Sequence, residues 1–162
     1  MKIRAKKDVI KFLGIDVDGL RTLMVLKLMF KGFKRVEKGV LRGEFNIFSN
    51  AYIYVHTIKK KVGRIIVIGY SNDQRSASEI IPVFNDLYEQ FSNCEKYTPS
   101  PENKKLELDD ETDEIPSNFI ATFYQGGDKM KPVHIKITEF AGYNIRIVYE
   151  NRYNDTIPGT DL

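Results

Sequence analysis

Tryptophan is absent from this 162-residue chain, cysteine occurs once and histidine twice. The lone Cys94 can close no internal disulfide, and it excludes four-cysteine zinc cages. His56 and His134 fall in separate apolar-alternating segments. One imidazole per strand is too few for a metal site without two further ligands, and Glu139 is the nearby carboxylate that paired strands could bring to them. Long hydrophobic runs are missing too. The greasiest stretch, residues 23–30, is interrupted by Lys27 and is far short of the roughly 20 residues a membrane span needs. Lys2, Arg4, Lys6 and Lys7 precede no signal-type apolar core. Gly126-Gly127 lacks the helix and Lys-Ser/Thr of a phosphate-binding loop. These absences set the expectation of an intracellular, cytoplasmic chain with no membrane partner, no metal and no cofactor.

What is present is a globular composition, 42% apolar and 29% charged, and a length that suits one α+β domain over residues 1–162. Charge is divided unevenly. Residues 1–70 hold 16 Lys/Arg against 5 Asp/Glu, whereas 71–162 hold 9 against 17. Such asymmetry suits an anionic partner for the first half, or two halves that attract each other.

Periodicity predicts a short helix over 6–13 with Gly14 as its stop, then a longer helix from an Asp18 cap to about Phe33. On the second helix Lys27, Lys31, Lys34 and Arg35 share a basic stripe opposite Leu20, Leu23, Met24, Leu28 and Phe30. Alternation then predicts an antiparallel three-stranded meander over 40–48, 52–58 and 64–70, with turns at Asn50 and Lys59-Lys60-Lys61. Ser76-Ala77-Ser78-Glu79 has capping-box spacing for a following helix, although Pro82 moves its expected start towards Ser78 or Glu79. Residues 95–118 form a composition break, read as an acidic, mobile loop. A second three-stranded antiparallel meander is expected over 119–124, 133–140 and 144–151, and a tail from residue 155. The fold class expected is therefore α+β: two N-terminal helices, a meander, a helix and a second meander, the two meanders forming one curved sheet or two apposed sheets.

Three resemblances accompany these patterns. Asp16-Val17-Asp18-Gly19 resembles the first motif of the haloacid-dehalogenase phosphatases, with Leu20 in place of the usual small or hydroxyl residue. That likeness implies Asp16 as nucleophile, Asp18 as acid/base, and magnesium. Residues 51–91, through Ile66-Val67-Ile68-Gly69 and the run from Ile80 to Leu87, resemble the end of one repeat of the TATA-box-binding-protein fold. Ile68-Gly69-Tyr70 stands where Thr-Gly-Ala is expected there, and no second repeat follows. The helix–three strands–helix order is similar to that of double-stranded-RNA-binding domains, without their lysine-rich helix start.

The reading that gathers most of the chain is a non-enzymatic binding protein whose basic first half meets nucleic acid. Cations answer phosphates and exposed aromatic rings stack on bases. The candidate residues are Lys27, Lys31, Lys34, Arg35, Arg42, Tyr52, Tyr54, Lys59, Lys60, Lys61 and Arg64. The alternative is a protein–protein interaction module, an accessory, inhibitor or assembly subunit, that uses the apolar helix over 20–30 as a partner or homo-oligomer face.

Overall fold

The computed structural model describes residues 8–71, 75–106, 115–116 and 119–154. A short hairpin of β1 (Lys11–Phe12) and β2 (Ile15–Asp16) comes first, followed by α1 (Arg21–Phe30). Four strands follow: β3 (Lys34–Glu37), β4 (Val40–Phe45), β5 (Phe48–Ile58) and β6 (Lys61–Ile68). Then come α2 (Ala77–Asn93) and four more: β7 (Tyr97–Pro99), β8 (Ile120–Gln125), β9 (Pro132–Glu139) and β10 (Tyr143–Glu150). A 3-10 turn at Arg152–Asn154 closes the described chain.

All the strands from β3 onward form one eight-stranded antiparallel sheet in the order β3-β4-β5-β6-β10-β9-β8-β7. That order is palindromic: a helix with four strands, then a second helix with four strands, joined antiparallel through β6 and β10. Residue identity gave no sign of this repeat, because each pairing needs only an apolar-alternating strand and not a particular sequence.

Both helices cover the same face. Cross-strand partners Leu41, Ile53, Val67, Ile147, Ile135 and Ala121 run as a row across six strands, each wholly buried. Met24, Val25 and Leu28 of α1, and Ile80, Phe84, Leu87 and Phe91 of α2, seal that row from water. Phe123 of β8 packs its ring at a tilt against Phe91 and meets Tyr88 edge-on, at 5.3 and 5.8 Å between centroids. Where Phe48 enters the core the chain needs Gly69, since a Cβ there would lie 2.4 Å from the Phe48 ring.

The expected fold class is corrected in several places. Only one helix precedes the sheet. Lys11–Phe12 pairs with Ile15–Asp16 as a hairpin turning on Leu13 and Gly14, both at positive φ. Phe12 is consequently buried against Phe45 and Tyr149, at 5.4 and 4.9 Å. Helix α1 starts at Arg21, its N-cap is Leu20 with no side-chain cap, and it stops at Phe30 before Gly32 at φ 104. Lys34 and Arg35 therefore lie on a strand, so the expected basic helical stripe is split. The meanders have four strands each, not three, and join in one sheet instead of two apposed ones. The β4–β5 hairpin turns at Asn46-Ile47, and Asn50 lies inside β5. Four strands, not three, separate the helices, which departs from the RNA-binding-domain order. At α2 the capping box on Ser76 forms in full, and Pro82 sits inside the helix. The expected start at Ser78 or Glu79 is thus too late. Among the described residues no helix is long and apolar enough to cross a membrane. The acidic run 107–114 and the tail from 155 lie outside the described residues.

Candidate nucleic-acid interface

Strand alternation turns every second side chain away from the helices, and the register sorts those side chains into rows. One row reads Lys34–Arg42–Tyr52–Ile68–Arg146–Lys136–Ile120, each adjacent pair being cross-strand partners. Beside it runs Glu37–Val40–Tyr54–Ile66–Val148–His134–Thr122. A third begins His56–Arg64–Glu150. Among the described residues no helix lies over these rows. Lys34, Lys136 and Arg146 are exposed, and Arg42, Tyr52, Tyr54, Ile66 and Ile68 are half-buried.

Local contacts hold these groups in place. The Arg42 Nε donates to Asn50 Oδ1 at 2.9 Å, and its guanidinium lies 5.4 Å from the Tyr52 ring centre. Tyr52 and Tyr54 rings are 6.3 Å apart. In the third row Glu150 receives three cationic or potentially cationic neighbours. Arg64 Nε and Arg152 Nε stand 3.5 Å away and His134 Nε2 3.7 Å away. His134 Nδ1 shares a 2.9 Å hydrogen bond with Thr122 Oγ1. His134 chiefly, then Arg64 and Arg152, hold the Glu150 carboxyl down to about 2 against the opposing effect of burial.

The sequence-expected residues separate into three places. Lys34, Arg42, Tyr52, Tyr54 and Arg64 share the open face. Lys59, Lys60 and Lys61 stand at the end of the β5–β6 hairpin, beyond the His56–Arg64 pair. Lys59 and Lys60 form its two-residue turn with φ of 53 and 70, a left-handed pair for which Asn-Gly is the favoured sequence. Lys27 and Lys31 belong to the exposed side of the helix layer, across the sheet from the rows. Arg35 is paired with core residue Leu41 and so points to the helix side. Sequence reasoning missed Lys136 and Arg146, because both sit in the acid-rich half. Their signal was the clean alternation of β9 and β10, whose polar positions had to line a wet face.

His134 meets Glu150, not Glu139, while His56 is exposed opposite Arg64. Asp16 lies on the short β2 strand with Lys11 Nζ at 3.8 Å, and Asp18 Oδ1 accepts from Asn154 at 3.1 Å. Neither stands at the end of a parallel strand. Among the described residues no group of three His, Cys, Asp or Glu side chains is placed to hold a metal ion. On the helix side a cleft of about 980 Å³ opens beside Lys11, Lys31, Gln90 and Cys94. Its polar groups largely answer one another: Gln90 pairs with Asn46, and Lys131 Nζ lies 2.6 Å from Asp8.

Comparisons with protein-family models, with curated proteins and with solved structures find no match to this chain.

Proposed function

We propose that this chain is a non-enzymatic nucleic-acid-binding protein that receives its ligand on the uncovered sheet face. The observation that carries this reading is the row with Lys34 and Arg42 at one end, Arg146 and Lys136 at the other, and Tyr52 between them. Grouped cations repel one another, and a polyanion relieves that repulsion while releasing its own counterions. The lysine turn adds to the reading. Two lysines occupy a left-handed turn that disfavours them, so charge is present there at a conformational cost. A cytoplasmic location agrees with this reading and with a single unpaired cysteine.

The test is binding to labelled random DNA and RNA at rising salt, followed by fluorescence anisotropy. Replacing Lys34→Glu together with Arg42→Glu is expected to weaken binding about 10- to 100-fold. Equal binding by wild type and variant, or no binding by wild type at low salt, overturns the proposal.

A second reading, a protein–protein interaction module, draws support from the outer side of α1. Leu20, Leu23, Leu26 and Met29 are all exposed there, and Phe30 is 88% exposed. This is more apolar surface than a helix with one buried side needs.

A further inference from the structure

Resting on the nucleic-acid reading above, we propose that the ligand is a single strand laid across the β-strands, gripped by both halves of the sheet. Its path is the row Lys34–Arg42–Tyr52–Ile68–Arg146–Lys136, which brings Arg146 and Lys136 of the acid-rich half into the interface.

Three features favour a single strand over a duplex. A single strand offers both phosphates and free base faces. The row offers both counterparts: cations at each end and a middle of Tyr52 and Ile68, widened by Tyr54 and Ile66 in the adjacent row. A duplex hides its base faces, and reading its major groove, about 8.5 Å deep, calls for a protruding helix or ribbon. Here both long helices lie behind the sheet. Kinking a minor groove calls for an apolar wedge, yet the most exposed large apolar side chains, Phe30 and Phe140, belong to neither row.

The path crosses six strands, about 24 Å at ~4.8 Å per strand. That holds roughly seven nucleotides at the ~3.4 Å spacing of a stacked strand, and fewer when stretched. With four cations engaged, log affinity against log salt should fall with a slope near −3, from about 0.7 per neutralised phosphate on single strands.

The experiment titrates the full chain into labelled 12-nucleotide single-stranded DNA and RNA and into duplexes of the same length. Single strands are expected to bind at least about 10-fold tighter than duplex, and four-nucleotide strands more weakly than eight-nucleotide ones. Lys136→Glu with Arg146→Glu should cost about 10-fold or more, and Tyr52→Ala about 5- to 100-fold, with Tyr52→Phe restoring affinity. Circular dichroism melts establish that each variant is folded. Lys136 and Arg146 are exposed, so their exchange leaves the core intact. Equal or tighter binding of duplex, or wild-type affinity in the Lys136/Arg146 variant, overturns this inference and leaves the general reading standing. No binding to any nucleic acid overturns both.

Discussion

Glu150 is the most tightly surrounded charge on the open face. Its carboxyl is lowered to about 2, with His134 the largest cause and Arg64 and Arg152 adding to it. Because the folded pKa lies below the unfolded one near 4.3, ionised Glu150 stabilises the fold at all pH above that value. The contribution is lost as pH falls from about 4.5 towards 2. After allowance for solvent contact it amounts to about 1–2 kcal/mol. Glu150→Gln is therefore expected to lower stability by about that much at pH 7 and to flatten the acid limb of a thermal-melt series over that window. An unchanged acid limb would show that the cluster is not the source. The carboxylate was plain in the sequence, but its partners were not: they come from β6, β9 and the turn after β10, and no spacing rule links them.

At the scale of elements, the β1–β2 hairpin is a plug for the core. Phe12 is fully buried, stacks on Phe45 and meets Tyr149 edge-on. The hairpin is tied in further by Val17 N donating to Ile10 O and by the buried Asn151 Nδ2 donating to Val17 O at 2.8 Å. Phe12→Ala should cost about 3–5 kcal/mol in denaturant unfolding, a value a loosely attached hairpin would not give. Apolar residues at 9, 10, 12 and 13 fit a helical stripe as well as a buried two-strand hairpin, so periodicity alone chose wrongly here. The same ambiguity extended α1 over Lys34 and Arg35. Gly32 at φ 104 ends that helix, and an edge strand of exposed residues carries little apolar pattern to announce itself. Where the signal was chemical and local, as in the Ser76–Glu79 capping box, it was legible. Pro82 is tolerated because it lies in the second turn on an exposed side, where water can serve the carbonyl it leaves unpaired.

At the scale of the whole molecule, the question is which surface meets a partner: the sheet face or the outer side of α1. Light scattering coupled to size exclusion separates them. The nucleic-acid reading expects a monomer-sized particle whose mass rises on adding oligonucleotide, and Phe30→Asp should leave that gain unchanged. A tight oligomer that Phe30→Asp dissociates, with no mass gain from oligonucleotide, favours the interaction module instead. By itself the sequence determined the alternating strands, the amphipathic second helix and the cationic surplus, since each is written in nearest-neighbour periodicity or plain count. Only the tertiary structure decided that β6 and β10 join two four-stranded units into one sheet with both helices on the same face. That pairing is long-range, and it alone aligns Arg42 and Tyr52 with Arg146 and Lys136. Charge counted by halves of the chain could not foresee it, because register, not sequence order, determines which side chains become neighbours.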